Sequence, residues 1–208
     1  MCNSPISVEK ARELSKDEKE RLIKVIEQEA HDNEVLFWGC SQAVLGALQR
    51  HFNLGNSETF KAATAFAGGV GRSREACGAL LGGVMAIGLV YGRAKFEDGK
   101  VCMEQPEFLE ALVRASRLCD RFKEKFGSLR CGDIRISIRG DDYREYTRYN
   151  TLENFKDHDK CGDVTGPAAR LAAEIILQPT EVFADEITAH LEDLNQVRQE
   201  QRNRLASR

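Results

Sequence analysis

The sequence predicts an all-α, single-domain helical bundle that ends in an amphipathic helix. Three observations lead there. Proline is scarce, at 4 of 208 residues, and Ala, Glu, Leu and Arg, all good helix formers, are abundant. Apolar residues recur at three- and four-residue spacing in successive segments. Only Ile134 to Ile138 alternates as a strand does, and one five-residue run makes no sheet. With 42% apolar and 30% charged residues, the chain can bury a core and is not of the disordered class.

The elements follow in order. Residues 7–32 read as one helix with Ser7 as N-cap and Val8, Ala11, Leu14, Leu22, Val25, Ile26 and Ala30 as its apolar positions. A second helix runs from about Cys40 to His51, on the stripe Ala43, Val44, Ala47 and Leu48. Ser57 caps a short third helix. Gly68 to Ser73 is a Gly-rich loop, and Ser73 caps a fourth helix that reaches Tyr91. Each Gly in that helix costs about 1 kcal/mol against Ala. Gly78, Gly82 and Gly83 therefore call for close approach of a backbone or a cofactor.

Glu97 to Lys100 is a turn. Pro106 opens a fifth helix that Gly127 closes. Ser128 caps a short turn holding Cys131. Asp141 to Lys160, with Tyr143, Tyr146 and Tyr149, reads as a polar, irregular excursion. Pro167 starts or kinks a helix through Leu177, and Pro179 breaks it. The last helix runs from Thr180, as N-cap, to about Arg204, with a narrow seam of Phe183, Ile187, Leu191 and Leu194. That seam suits docking on the body or pairing with a second copy in a homodimer.

Several function classes drop out. Thirty Lys and Arg against 33 Asp and Glu leave a formal charge of −3, so nothing points to nucleic acid. The first residues carry no basic region followed by an apolar run, so no secretory signal is expected and a cytoplasmic location is. The longest uncharged stretch, Ala76 to Gly92, is 17 residues and Gly-rich, which suits a buried helix better than a membrane span. Gly69-Val70-Gly71 lacks the preceding strand and the following GK[ST] of a nucleotide loop.

Seven cysteines are the unusual feature: Cys2, Cys40, Cys77, Cys102, Cys119, Cys131 and Cys161. Their odd number argues against a simple disulfide framework. No CxxC is present, so a zinc ribbon, a thioredoxin site and a ferredoxin run are absent, and no CxxCH means no c-type haem. Cys40, Cys77, Cys131 and Cys161 all fall near expected helix N-termini. The positive end of a helix lowers a thiol pKa and favours the thiolate. Lys160, Arg72, Arg74 and Arg130 are placed to add to the effect. Cys119 lies mid-helix on an apolar face and reads as core packing. Of the scattered histidines, His158 is nearest a cysteine, Cys161.

Cys77-Gly78-Ala79-Leu80-Leu81-Gly82 reads CGAxxG, preceded by Ala65 to Arg72 and flanked by Cys40, Cys131 and Cys161 in order. Over about residues 36–175 this resembles the redox-active protein family named for the pattern C_GCAxxG_C_C. The resemblance implies redox activity or metal binding through Cys40, Cys77, Cys131 and Cys161, with Gly78, Ala79 and Gly82 completing the motif at the cofactor. Three parts depart from it: the N-terminal and C-terminal helices, the polar Asp141 to Lys160 segment, and Gly166-Pro167 just after Cys161. They suggest a division into residues 1–35, a cysteine-motif domain at 36–178, and 179–208.

Three readings follow. The four cysteines ligate an iron–sulfur cluster, with zinc as the lesser candidate, for electron transfer or sensing. Or pairs among them cycle between dithiol and disulfide without metal, in any of three connectivities. Or they are small buried residues in a helical interaction module. The redox partner is not named by any of these.

Overall fold

The computed structural model describes residues 5–96, 105–139 and 159–206. Cys2, Cys102, the Glu97 to Lys100 turn, the three tyrosines and His158 lie outside the described residues, as does most of the Asp141 to Lys160 excursion. Among the described residues there are nine α-helices and two 3-10 turns, with no strand.

The first expected helix is two. α1 (Val8–Glu13) begins at Ser7, whose Oγ accepts from the Lys10 N–H. α2 (Lys16–Phe37) restarts at Ser15 because Ser15 and Glu18 form a capping box, each side chain accepting from the other's backbone N–H. α3 (Cys40–Phe52) buries Ala43, Val44, Ala47, Leu48 and Phe52. α4 (Ser57–Ala62) is capped by Asn56 rather than Ser57, through Thr59 N–H to Asn56 Oδ1 at 3.0 Å. A 3-10 turn, Ala63–Phe66, follows.

α5 (Gly78–Tyr91) is the central helix and starts four residues later than expected. Ser73 does not cap it: its hydroxyl donates to Gly69 O, inside the Gly-rich turn. The glycines of α5 meet neighbours at close range. A Cβ on Gly82 would collide with Ser41 O of α3. One on Gly83 would stand 2.9 Å from Leu118 Cδ2 of α6 and 3.1 Å from Ala172 Cβ of α8. At about 1.5 Å per residue, this 14-residue helix falls short of a bilayer core. Among the described residues no helix is long and apolar enough to cross a membrane.

α6 (Pro106–Phe126) starts on its proline and ends on left-handed Gly127, φ 76°, as expected. α7 (Cys131–Arg139) replaces the expected strand-like run. Ile134 and Ile138 are four apart, so a helix turns both inward, and Ile134 is buried. α8 (Asp159–Leu177) begins eight residues before Pro167 and carries the proline inside. Packing sustains it there. Gly162 and Gly166 let α2 lie against it, a Cβ on Gly166 reaching 3.0 Å from Glu27 O. Thr165 Oγ1 lies 3.1 Å from Ala30 O and 3.2 Å from Gly162 O, within donating distance of both carbonyls. Arg170 of α8 spans to Glu20 and Glu27 of α2.

The Thr180–Phe183 segment is a 3-10 turn, after which α9 (Ala184–Ala206) runs to the end of the described chain. Thr180 is thus not a helix cap; its hydroxyl donates to Glu110 Oε1 at 2.8 Å. Arg114 locks this corner. It is fully buried between the rings of Tyr91 and Phe183, 3.8 and 4.2 Å from their centroids. It donates to Ile175 O and Gln178 O at the end of α8, and pairs with Glu110 at 2.7 Å.

Candidate functional site

All four motif cysteines stand at helix N-termini. Cys40 is the first residue of α3, after Gly39 at φ 105°. Cys77 is the N-cap of α5, Cys131 is the first residue of α7, and Cys161 is the third of α8. Backbone bonds fix Cys77 and Cys131 side by side. The Cys77 N–H donates to Leu129 O at 2.8 Å, and the Cys131 N–H to Glu75 O at 2.7 Å, around the isolated bridge Ala76–Arg130.

The Gly-rich turn wraps this pair. Gly68 through Arg72 all have positive φ, between 59° and 74°. Non-glycine residues avoid that region, so Val70 and Arg72 are strained there. Cross-turn bonds hold them: Val70 N–H to Phe66 O, Arg72 N–H to Ala67 O, and Arg74 N–H to Gly68 O. The conformation brings the backbone close in. A Cβ on Gly69 would lie 2.6 Å from Cys131 Cβ. The space a Cβ on Gly78 would need is filled by Cys40 Sγ and Phe66 O. Gly78 thus seats the Cys40 sulfur next to Cys77, Gly82 meets α3, and Ala79 is buried in the core.

Cys77 and Cys131 are each 6% exposed, and Cys40 and Cys161 are half-buried. The described cysteines form no disulfide. Cys40 feels the charges of Cys77 and Cys131, and Cys77 those of Cys131 and Cys161. The fold therefore gathers four residues from positions 40 to 161. Cys119, on α6, stands apart from these couplings and packs on the core.

The expectation of lowered thiol pKa values is overturned. Burial pushes the Cys77 thiol up to about 12, and the neighbouring Cys131 adds to it. The Ala79 and Leu80 amides at the helix start pull the other way and lose. Cys40 is held well above the ordinary thiol range by burial, then by Cys77 and Glu34, against the Gly68 amide. Cys131 is raised by burial, with Arg135 and Arg74 opposing. Removing a charge from water outweighs a few partial charges. Arg130, expected to help, turns to Glu75 and Asp133 instead.

Glu34 was absent from the sequence reading. It is 2% exposed and its charge reaches both Cys40 and Cys131. The available signal is its place on the buried stripe Ile23, Ile26, Ala30 and Glu34 of α2. His31 is the described histidine against the start of α8. Its ring lies 2.8 Å from where a Gly162 Cβ would be, and its Nε2 is 3.8 Å from Asp163 Oδ1.

Among the described residues, no three or more His, Cys, Asp or Glu side chains are grouped to hold a metal ion. Four thiolates around one zinc at about 2.3 Å stand roughly 3.8 Å apart, so a ready tetrahedral site is not built. A cluster distributes its cysteines over several irons and holds them further apart. Soft thiols, a buried setting and backbone amides facing sulfur fit such a group in kind.

The family described as Putative redox-active protein (C_GCAxxG_C_C) matches residues 38–175. The family's name writes Gly-Cys-Ala, where this chain has Ala76-Cys77-Gly78-Ala79. No curated protein and no solved structure matches the chain.

Proposed function

Because the chain belongs to the C_GCAxxG_C_C family, described as redox-active, we propose that Cys40, Cys77, Cys131 and Cys161 hold an iron–sulfur cluster that serves electron transfer or redox sensing. One observation carries the reading: four cysteines from four helix starts are electrostatic neighbours around the buried pair Cys77 and Cys131. When bound, the cluster supplies one-electron exchange.

The chain's own groups then have defined duties. Cys40, Cys77 and Cys131 give up protons that burial otherwise keeps on them. The amides of Gly68, Ala79 and Leu80 stabilise negative sulfur. Arg74 and Arg135 offset charge at Cys131, while Glu34 adds negative charge and so disfavours an added electron. Core packing around Cys77 and Cys131 keeps water out. An unnamed redox partner, a cytoplasmic setting, and self-association through α9 belong to the same proposal.

The second reading is metal-free. Two neighbouring thiols, Cys40 and Cys77, would close to a disulfide, releasing two protons and two electrons to an acceptor. The seating of Cys40 Sγ over Gly78 favours it, as does the lack of an ion-ready group among the described residues.

Iron and acid-labile sulfide in anaerobically purified variants test the assignment. Cys77→Ser is expected to lose nearly all of both. Cys119→Ala is expected to keep them at a packing cost of about 1 kcal/mol. Equal loss in the two variants overturns the division of the cysteines.

A further inference from the structure

A groove of about 640 Å³ opens where the end of α2, one face of α3 and α4 meet. That size suits a small organic ligand. Its walls are aromatic. Phe37, Trp38 and Phe60 line it and are 76%, 46% and 40% exposed. Three such side chains left in water at one groove are unusual for a surface with nothing to bind. Phe60 leans onto α3 because Gly46 makes room, a Cβ there reaching 3.0 Å from Phe60 Cε2.

Trp38 is held by its backbone. It sits at φ 59°, ψ 161°, a region used almost only by glycine. Strain of this kind persists where the surroundings impose it, and it collects at binding sites. Two residues on, the chain reaches Cys40 at the start of α3.

Charge and hydrogen bonding narrow the ligand. Glu29, which lines the groove, sets its carboxylate against Arg50, the one cationic side chain among the described residues of the lining, at 3.0 Å, and against His51 at 2.8 Å. That leaves no built cradle for phosphate or carboxylate. Asn33, Gln42 and Gln49 also line it. Gln42 Nε2 donates to Phe60 O and Gln49 Nε2 to Asn56 O, and each carboxamide nitrogen carries a second N–H. Flat aromatic walls with amide donors match an uncharged planar ring that bears carbonyl oxygens. The geometry points to a quinone-binding site in this groove. It stands independently of any metal at the cysteines.

Trp38 is the single tryptophan of the chain, so its fluorescence reports on the groove directly. The probe is 2,3-dimethyl-1,4-naphthoquinone, whose quinone ring has no open position for thiol addition. Titrated into the full chain, it is expected to quench Trp38 saturably. Phe60→Ala and Gln42→Leu should each raise the midpoint about tenfold, the loss of one stacking wall or one donor. Cys77→Ser should leave the midpoint unchanged, whatever its metal content. Linear quenching, as for free N-acetyltryptophanamide, overturns the proposal. So does a midpoint unmoved in both groove variants, or binding lost in Cys77→Ser alone, which would move the quinone to the cysteines.

Discussion

At Cys77 two local effects oppose each other, and their sizes decide the chemistry. The start of α5 favours a thiolate, and burial beside other thiols favours the protonated form more strongly. A thiol whose pKa is higher folded than unfolded stabilises the fold fully below the unfolded value, near 8.5, and loses that contribution as pH rises toward about 12. Metal-free protein should therefore lose stability above pH ~8.5. The expected slope is on the order of 1 kcal/mol per pH unit for each such thiol. Urea midpoints at neutral and alkaline pH check this against Cys77→Ala, whose fall should be shallower. Equal slopes would contradict it. Of the four helices concerned, only α3 begins where the sequence placed it. Ser73 does not cap α5, α7 stands in place of the strand-like run, and α8 begins before Pro167. That the four cysteines fall near helix starts was legible all the same. Their burial was not, because a cysteine's neighbours come from segments far away in sequence. Glu34 went unseen for the same reason: a lone carboxylate on an apolar stripe carries no motif.

Among elements, α5 shows that identical residues in one helix do opposite things. Gly82 faces Ser41 O of α3 with no room for a methyl, and exposed Gly88 faces open space. Gly82→Ala should cost about 2–3 kcal/mol by forcing α3 away. Gly88→Ala should add about 0.5–1 kcal/mol through helix propensity. Chemical denaturation of both checks the signs; two changes of like sign would contradict the packing. Strong local signals, Pro106 with Gly127 above all, made α6 legible to the residue. α7 and α8 were not legible. Ile134, Ile136 and Ile138 suit either period over so short a run, and tertiary packing chose the helix. Pro167 marks a boundary in isolation, but contact of Gly162 and Gly166 with α2 carries α8 through it.

Over the whole molecule, α5 is enclosed by α3, α6 and α8, α2 lies along α8, and Arg114 ties the end of α8 to the Thr180–Phe183 turn. The all-helical class was legible because it rests on composition and period. Which helix starts meet was not, since no spacing in the chain encodes it; the family pattern alone linked the four cysteines. α9 touches α6 near its beginning, through the Arg117–Glu186 ion pair and Ile187, and exposes Leu191 and Val197 beyond. The proposed division at 179–208 and pairing through α9 make a joint prediction. A chain ended after Thr188 should keep the melting temperature within a few degrees, as an element outside the core allows. In sedimentation the full chain should associate with rising concentration, and the shortened chain should not. A collapsed melting temperature, or association unchanged by the truncation, would contradict it. The central claim is the cluster at Cys40, Cys77, Cys131 and Cys161. Iron and acid-labile sulfide content of the full chain purified anaerobically, read with its visible spectrum, tests that most directly. Near-equal iron and sulfide with a broad thiolate-to-iron charge-transfer band is the predicted result, and a colourless, iron-free protein would contradict it.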